Sequence, residues 1–372
     1  MKREIIFATD GIFPHAVGGM QRHSRLLIEE LARQGNFALT VIHPHQGEQV
    51  FAAELGIEEI PVSPLPGQRN YLLELYDYSK QVSRVALERP QALIYSQGLS
   101  VWHQIDRFGD RVIINPHGLE PYQGLTLSDR LKGLPYRWIY RRLFRQAAKV
   151  VSLGGRLTDI LRGEVKTPAQ QLAVLPNATE LPEGDWQQWM EARPERPLKV
   201  LFVGRFAHNK GIDVLMQAIG MLHDQGMGKE FSFTLAGKGP LYEQIRAQYT
   251  YPNVSFLGFV SDEQLEDLYR SHHLFMLPTL FEGMPTVVLE AMARGMAIAV
   301  TDVGATLELV DENNGFIMEK KSPSSIVVAL TGMIELTAEE RRIMGEASRH
   351  KMASRFTWPR VAEAHTEVFG HL

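Results

Sequence analysis

The stretch "LKVLFVGRFAHNKGIDVL", residues 198–215, contains the sequence pattern on which the fold depends. Its apolar run Lys199–Val203 predicts a buried strand, and a glycine-bearing turn follows at once. Leu215, Ile219 and Leu222 then recur at the spacing of one helical face. A buried strand followed directly by a helix is half of a βαβ unit, so this stretch predicts a parallel sheet.

The same alternation of strand-like and helix-like segments runs along most of the chain. The predicted strands before residue 191 are Ile5–Ala8, Phe37–Ile42, Ala92–Tyr95, Val112–Ile114, Val150–Leu153 and Leu172–Leu175. Those after it are Lys199–Val203, Phe231–Ala236, Val254–Leu257, Leu274–Leu277 and Ala297–Thr301. In "EARPERPLKV", residues 191–200, two prolines and four charges precede a new buried strand, which indicates a domain boundary. We therefore predict two α/β domains, 1–190 and 191–357, enclosing a cleft.

Composition excludes several classes of protein. The 372 residues are 44% hydrophobic with a net charge of −4, which is typical of a globular protein and gives no reason to expect nucleic-acid binding. The chain has no cysteine, so disulfides, thiolate metal sites and a cysteine nucleophile are excluded. The apolar run near the N-terminus is too short for a signal peptide, and no window is apolar enough to span a membrane. We expect a cytoplasmic protein.

Ligands of parallel sheets collect at the carboxyl ends of the strands, so the residues directly after each strand are candidates. Gly18 and Gly19 stand at the start of the first predicted helix, where backbone amides and the helix dipole favour an anion. A flexible turn is the alternative. His117, in "NPHGLE", follows Pro116 at the end of another strand, where it is either a ligand-binding residue or a structural one.

Two cations follow the strand of the opening stretch. Arg205 offers a forked guanidinium and Lys210 a point charge, both beside a helix start, so together they predict a diphosphate clamp. A solvated loop is the alternative. "AGKGP", residues 236–240, is another turn after a strand, but Tyr242 occupies the third glycine position of the dinucleotide fingerprint. A nicotinamide dehydrogenase is therefore poorly supported, and no Walker A motif is present.

The stretch "LFEGMPTVVLEA", residues 280–291, places two glutamates around a Gly-Met-Pro turn. Pro285 suits the first turn of a helix, which puts Glu282 in the loop and Glu290 within the helix. They do not form the facing carboxylate pair of a glycosidase. The amides of the helix start point towards an anion, which suggests a pyrophosphate leaving group. Glu290 is then free to accept hydrogen bonds from ribose hydroxyls, and Glu282 from a sugar.

These motifs together resemble the group-1 family of retaining, nucleotide-sugar-dependent glycosyltransferases. "GRFAHNKGID", "FEGMPTVVLEAMARGMAIAVTDVGATLELV" and "NNGF" carry the resemblance, which extends to "PHAVGGMQRH", "NPHGLE" and "LPNATEL" and so covers most of the chain. The E-x7-E element alone is moderately specific, but it gains weight in this order after the Arg and Lys motif. The resemblance implies two Rossmann-like domains of the GT-B type, with a last helix near 358–372 crossing back to the first.

The resemblance also implies roles for the positions that match. Gly18 and Gly19 would approach the donor phosphate and the acceptor, and His117 would contact the donor sugar. Arg205 and Lys210 would neutralise the diphosphate. His117, Arg205 and Lys210 are accordingly expected to act in catalysis.

The two glutamates are expected to face different parts of the donor. The family resemblance places Glu282 at the sugar hydroxyls, with a part in catalysis, and Glu290 at the ribose. Nothing in the sequence resembles an Asp-x-Asp metal site, and the resemblance implies an enzyme that needs neither metal nor cofactor. The remaining expected donor-binding positions are Gly204, Gly237, Gly283, Met284, Pro285, Thr286 and Val287.

The implied activity is transfer of a sugar, with retention, from a UDP-, GDP- or ADP-sugar to a glycan or lipid-linked acceptor in cell-surface polysaccharide or lipopolysaccharide biosynthesis. A nucleotide-sugar epimerase or hydrolase on the same scaffold is one alternative. A binding protein that has lost catalysis is another, although the intact site residues argue against it. Three stretches depart from the family pattern: Ala297 replaces a common proline, "IYSQG" at 94–98 lacks a common histidine, and "PNATEL" has Asn-Ala for Asn-Gly.

The segment "RLKGLPYRWIYRRLFRQAAK", residues 130–149, is basic, has no acidic residue and contains Tyr, Trp and Phe. Such a segment suits peripheral contact with an anionic membrane surface, at the inner face of the membrane, where a lipid-linked acceptor would lie. The alternative is a surface helix that packs its aromatic side inwards and leaves its arginines in water.

Overall fold

The computed structural model describes residues 2–16, 18–47, 49–63 and 71–372. The chain divides into a first unit, Met1–Ala178 with Trp358–Leu372, and a second unit, Thr179–Thr357. The second unit begins at Thr179, earlier than the predicted boundary at 191, because the segment before its sheet contains a helix, Trp186–Glu191, that packs on this unit. Arg349 lies 5.1 Å above the Trp186 ring and Arg270 lies 4.3 Å above the Trp189 ring.

The first unit is built on a seven-stranded sheet whose paired strands are all parallel. Its strands are β1 (Glu4–Ala8), β2 (Ala38–His43), β3 (Glu58–Pro61), β4 (Leu93–Gln97), β5 (Val112–Asn115), β6 (Lys149–Ser152) and β7 (Leu172–Val174). Its helices are α1 (Gly19–Gln34), α2 (Tyr71–Glu88), α3 (Leu127–Lys132), α4 (Leu134–Gln146), α5 (Gly155–Ile160) and, from the end of the chain, α14 (Trp358–Gly370).

The second unit repeats the plan with a six-stranded parallel sheet. Its strands are β8 (Leu198–Val203), β9 (Phe231–Ala236), β10 (Val254–Gly258), β11 (Leu274–Leu277), β12 (Ala297–Thr301) and β13 (Gly315–Met318). Its helices are α6 (Trp186–Glu191), α7 (Ile212–Asp224), α8 (Tyr242–Gln248), α9 (Asp262–Ser271), α10 (Thr286–Ala293), α11 (Thr306–Leu309), α12 (Pro323–Glu335) and α13 (Ala338–Arg355).

Strand order identifies the ligand-binding edge of each sheet. The first sheet runs β3-β2-β1-β4-β5-β6-β7 and the second β10-β9-β8-β11-β12-β13. In each sheet the chain first adds strands on one side of the first strand and then crosses over to add strands on its other side. The order of strand addition therefore reverses between β1 and β4 and between β8 and β11, and we call each of these positions a strand reversal. In doubly wound sheets ligands bind outside the carboxyl ends of the strands at such a reversal. The two-domain Rossmann-like fold is thus confirmed, and the loops after these four strands are the expected ligand-binding positions.

Helix α14 joins the core of the first unit, as the family resemblance implied. Trp358, Val361, Ala362 and Phe369 are buried in one apolar cluster with residues of α1 and of the central strands. The Phe369 ring lies 6.4 Å from that of Phe7 on β1. Among the described residues, no helix is both long and apolar enough to cross a membrane.

Helix α14 also carries a buried titratable group, His365. Its Nδ1–H donates to the carbonyl of Val361 at 2.7 Å, so the opposite ring nitrogen, Nε2, accepts from the Tyr95 hydroxyl at 3.0 Å. Burial lowers the pKa of His365 to about 4. The ring is therefore neutral near pH 7 and serves as a fixed hydrogen-bonding group.

We expect acid to destabilise the protein through His365. An exposed histidine has a pKa near ~6.5. Between that pH and the lowered folded value of about 4, the unfolded chain binds a proton that the folded ring does not. The free energy of unfolding should therefore fall as the pH drops through this window, by up to about 1.4 kcal/mol per pH unit. Urea unfolding at several pH values measures the slope.

The variant His365→Gln removes this titration and should flatten the slope by about one proton. His371→Gln, the same substitution at an exposed position beyond α14, is the matched control. Equal slopes in all three proteins would contradict the assignment to His365.

Candidate active site

An ion pair joins the two loops at the strand reversal of the second unit. Lys210 lies in the loop after β8 and Glu282 in the loop after β11, and Lys210 Nζ donates to Glu282 Oε1. Only 24% of the lysine side chain and 11% of the glutamate side chain are exposed. The structure thus brings together two predicted site residues that lie 72 positions apart in the sequence.

Backbone contacts hold these two loops at close range. The carbonyl of Asn209 accepts from the Leu280 amide at 2.7 Å and from Thr279 Oγ1 at 2.9 Å. Gly211 has φ +68°, and a Cβ there would lie 1.9 Å from the carbonyl oxygen of Pro278. A side chain at Gly211 would push the loops apart and separate Lys210 from Glu282.

A third loop, after β9, meets the end of β8 in the same way. Gly237 has φ +128°, and a Cβ there would lie 2.0 Å from the carbonyl oxygen of Gly204. The Gly204 amide donates to the carbonyl of Ala236 at 3.0 Å. Gly204 and Gly237, both predicted donor-binding positions, are therefore adjacent in the structure.

The predicted cation clamp is electrostatically asymmetric. Lys210 is neutralised by Glu282, whereas the guanidinium of Arg205 is exposed and has no hydrogen-bond or ion-pair partner within the described ranges. Arg205 directly follows the first residue after β8, in the same connection as Lys210, and no carboxylate in the described part of the chain compensates its charge. The two predicted cations therefore differ, since Arg205 is open and Lys210 is shared with a carboxylate.

The Gly-Met-Pro turn precedes α10 as expected. Helix α10 begins at Thr286 with Pro285 in the capping position, and no side chain in the described part of the chain caps it. The carbonyl of Gly283 accepts from the Ala305 amide at 2.8 Å, which fixes the turn against the loop after β12. Met284 is buried, while Thr286 and Val287 are half-buried at the first turn of the helix. The start of α10 thus presents backbone amides where the sequence predicted them.

Glu290 lies one turn further along α10 and has a partner that sequence reasoning missed. The Tyr269 hydroxyl, on α9, donates to Glu290 Oε2 at 2.8 Å. Glu290 and Glu282 occupy different elements and have different partners, a tyrosine in one case and a lysine in the other. The two glutamates are therefore not a facing acid–base pair.

The first unit carries the remaining predicted residues. Gly18 caps the start of α1 and Gly19 is its first residue, and both are exposed. A Cβ at Gly19 would meet no described atom within 4 Å, whereas one at Gly18 would meet Gln21 Oε1 at 2.2 Å. Among the described residues, the space beside Gly19 is therefore open, whereas Gln21 fills the space beside Gly18.

His117 lies after β5 in a left-handed conformation, with φ +57°. Its backbone amide donates to Asn115 Oδ1 at 3.0 Å. Asn115 Nδ2 in turn donates to the Tyr95 hydroxyl oxygen at 3.1 Å, and that hydroxyl donates to His365. A chain of buried hydrogen bonds therefore runs from α14 through β4 and β5 to the His117 loop.

The ring of His117 is held by Gln97. Its Nε2–H donates to Gln97 Oε1, so the opposite nitrogen, Nδ1, is the unprotonated one. Burial, with a smaller contribution from His365, lowers the pKa of His117 to about 3. His117 is consequently a neutral imidazole with a defined tautomer at physiological pH.

Comparison with known proteins places these features in a family. A family model described as glycosyl transferases group 1 matches residues 187–351, which contain all of the second-unit site. A model described as glycosyltransferase family 4 matches residues 17–181, which contain Gly18, Gly19 and His117. The chain belongs to the group 1 glycosyltransferases.

The chain is similar to several known proteins at low sequence identity. The putative colanic acid biosynthesis glycosyltransferase WcaL of Escherichia coli is 23% identical over 63% of this chain and 59% of its own length. Sucrose-phosphate synthase of Thermosynechococcus elongatus has a TM-score of 0.81 at 19% identity, over 100% of this chain and 99% of its own. Anabaena HepE, solved with UDP and glucose, has a TM-score of 0.69 at 16% identity, over 100% of both chains. The chain spans roughly a third to three-fifths of the length of the curated relatives that it matches.

Two contacts of this group 1 glycosyltransferase had only weak sequence signals. Gln97 stands in "IYSQG", where the resemblance indicated a departure from the family pattern, and its position at the end of β4 was the available signal. Tyr269 is 21 residues before Glu290 on another helix, and nothing in the local pattern links the two.

We expect Gln97→Glu to raise the pKa of His117 from about 3 to above the ordinary histidine value. A carboxylate at this position would stabilise the imidazolium that burial now disfavours. NMR titration of ring-labelled histidines measures the change. Gln104→Glu, at an exposed position of the same unit, is the control. A His117 pKa that stays as low in Gln97→Glu as in the natural chain would show that Gln97 does not control it.

Proposed function

We propose that this chain is a retaining glycosyltransferase that moves a sugar from a nucleoside diphosphate sugar to a glycan or lipid-linked acceptor. The proposal rests chiefly on the Lys210–Glu282 ion pair at the strand reversal between β8 and β11. This pair combines a cation for phosphate with a carboxylate for sugar hydroxyls. Arg205, in the connection after β8, and the amides at the start of α10 would add positive potential for a diphosphate.

In the proposed reaction the bond between the anomeric carbon and the diphosphate oxygen breaks, and the electron pair leaves with the diphosphate. The acceptor hydroxyl attacks the same face of the sugar through an oxocarbenium-like state, which preserves the anomeric configuration. Its proton passes to the departing diphosphate. Arg205 and Lys210 would stabilise the charge that grows on that group, where electrostatic stabilisation contributes most to catalysis.

We propose that these side chains and amides neutralise the diphosphate without a metal or other cofactor. Arg205 and Lys210 would supply the positive charge, Lys210 once it leaves Glu282, and the start of α10, which no described side chain caps, would supply amides. As Lys210 turns from Glu282 towards a bound phosphate, the Glu282 carboxylate becomes available to accept hydrogen bonds from the sugar. Donor binding would thus redistribute an existing ion pair.

For the substrates we propose a UDP-, GDP- or ADP-sugar donor and an acceptor of cell-surface polysaccharide or lipopolysaccharide synthesis. The structural neighbour HepE was solved in complex with UDP and glucose, which supports a nucleotide sugar. The relative WcaL is a putative glycosyltransferase of colanic acid biosynthesis, which supports a polysaccharide acceptor.

A thermal-shift screen of UDP-, GDP- and ADP-sugars tests the proposal. A donor that binds only the folded chain raises the unfolding temperature, and the rise increases with its affinity and concentration. We expect one nucleotide class to stabilise the protein clearly. Rapid consumption of that donor without any acceptor would instead favour an epimerase or hydrolase, and binding without turnover in any acceptor mixture would favour an inactive binding protein.

Single substitutions should distinguish the contributions of Lys210 and Glu282 to donor binding and to sugar transfer. Lys210→Ala removes a cation and leaves Glu282 uncompensated near the phosphates, so we expect the nucleoside diphosphate to bind roughly 10- to 100-fold more weakly. Glu282→Gln releases Lys210, so the diphosphate should bind as well as before or more tightly while sugar transfer falls. Isothermal titration and a transfer assay measure the two effects.

Glu290→Ala should also weaken donor binding, because the ribose hydroxyls would lose the Glu290 carboxylate as their hydrogen-bond acceptor. Asp224→Ala, at the exposed end of α7, is a matched loss of charge in the same unit. Near-normal donor affinity in both Lys210→Ala and Glu290→Ala would overturn the site assignment.

We further propose that α3 and α4 contact an anionic membrane surface. Four apolar side chains recur at helical spacing on these helices and are 53–79% exposed: Leu127, Leu131, Leu134 and Trp138. Exposed basic residues lie among them, including Arg130, Lys132, Arg141, Arg142 and Arg145. The opposite face packs inwards through Ile139, Tyr140, Leu143 and Phe144. An exposed apolar stripe between cations suits the headgroup region of an anionic bilayer.

Sedimentation with vesicles of phosphatidylcholine, alone or with phosphatidylglycerol, tests this surface. We expect binding to the anionic vesicles and roughly tenfold weaker binding for Trp138→Ser, which lacks the aromatic side chain that would insert into the bilayer. Phe259→Ser, which removes an 81% exposed aromatic residue of the second unit, should bind as the natural chain does. Equal, weak binding to both vesicle types would exclude the membrane proposal.

A further inference from the structure

Glu290 is held by a buried tyrosine on a neighbouring helix. Tyr269 is 2% exposed, and its hydroxyl donates to Glu290 Oε2 at 2.8 Å. Within the described ranges this is the hydrogen bond that the Glu290 carboxylate makes to the protein, and it occupies one of its two oxygens. The other oxygen, Oε1, keeps its capacity to accept hydrogen bonds from a ligand.

The Tyr269 ring is itself fixed by an ion-pair network between α9 and the end of α10. Arg294 stacks 5.5 Å above the ring, and its Nη1 donates to the backbone carbonyl of Glu290 at 3.0 Å. Arg294 Nε also donates to Glu266 Oε2 at 3.0 Å, while Arg270 Nε donates to Glu266 Oε1 at 2.7 Å. Two arginines and a glutamate therefore hold both the tyrosine and the backbone that carries Glu290.

Arg193 joins the C-terminal ends of the same two helices, α9 and α10. Its guanidinium donates to the carbonyl of Arg270, the residue after Tyr269, at 3.1 Å and to the carbonyl of Arg294 at 2.8 Å. It donates to the carbonyl of Gly295 at 2.8 Å as well. One side chain thus caps both helix ends, which keeps α9 and α10 in register and the tyrosine opposite the glutamate.

In the hydrogen bond between Tyr269 and Glu290, the tyrosine is the donor. Burial, followed by the nearby Glu290 carboxylate, raises the pKa of Tyr269 well above its ordinary value of 10. The phenol therefore remains protonated and always donates. A carboxylate that is restrained through one oxygen loses less conformational entropy when its other oxygen binds a ligand.

We propose that Tyr269 is a positioning residue that aims Glu290 at the ribose hydroxyls of the donor nucleotide. The inference rests on the proposed function, since it requires a nucleotide at the start of α10. It assigns to Tyr269 no contact with the ligand: the tyrosine acts only through Glu290. The pair would favour ribonucleotides over nucleotides that lack the hydroxyl bound by Oε1.

The variant Tyr269→Phe tests this role, because it removes the hydroxyl and retains the buried ring. UDP, GDP and ADP are titrated in turn into the natural chain, and the one that binds most tightly serves as the probe. We expect Tyr269→Phe to bind this probe about tenfold more weakly. The KM for the matching donor sugar should rise by a similar factor, while kcat changes less than twofold.

A double-mutant cycle distinguishes positioning from a general structural role. If Tyr269 acts through Glu290, then Tyr269→Phe should cause no further loss in the Glu290→Ala background. The loss should also disappear for a 2′-deoxy or a 3′-deoxy form of the probe, whichever lacks the hydroxyl bound by Glu290. Tyr251→Phe, in the same unit with its ring stacked on His223, is the matched control and should bind the probe normally.

Three outcomes would overturn the proposal. Unchanged probe affinity in Tyr269→Phe would show that the hydroxyl does not matter. A loss that persists in the Glu290→Ala background, or one matched by a general drop in unfolding temperature, would show that the tyrosine acts on the fold. If the natural chain binds none of the three nucleotides, the proposed function itself fails, which is a separate result from binding that is equal in the natural chain and in Tyr269→Phe.

Discussion

Parallel strand pairing is the constraint on which both units depend. When every paired strand of a sheet points the same way, all carboxyl ends reach one edge, and each connection must return over a face of the sheet. The strand order then leaves one position where neighbouring connections diverge, between β8 and β11 in the second unit. Lys210 and Glu282 come from these two connections. The ion pair can form only because the topology brings the loops together.

A charge pair of this kind must remain available to a ligand. A fully buried salt bridge would resist exchange, because desolvation makes its separation costly, and a fully exposed one would hold neither side chain in place. Lys210 and Glu282 lie between these limits, with 24% and 11% of their side chains exposed. Gly211 also contributes, because its missing Cβ allows the two backbones to touch and so brings both side chains within reach of each other.

The sequence predicted most strands of both sheets but missed the edge strands β3 and β13, and it did not predict the polar network. Apolar runs identified the central strands of both units, since these are buried on both faces and rich in branched side chains. Strand β3, "EEIP", was missed because its glutamates bind Arg89 and backbone amides in place of an apolar pattern. The candidate site residues of the second unit follow predicted strands and could be placed by position. Gln97 and Tyr269 act on residues 20 and 21 positions away through tertiary contacts, which no local spacing encodes.

Helix α14 also bears on how the chain is made. The second unit is one continuous segment, whereas the first unit needs residues on both sides of it. During synthesis, the apolar surface that α14 covers stays without this helix until the whole second unit has been translated. Translation of that unit takes roughly ten to forty seconds at about 5–20 residues per second. The nascent first unit therefore exposes Phe7 and its neighbours throughout that interval. The ribosome therefore completes the second unit before it completes the first, although synthesis of the first unit begins earlier.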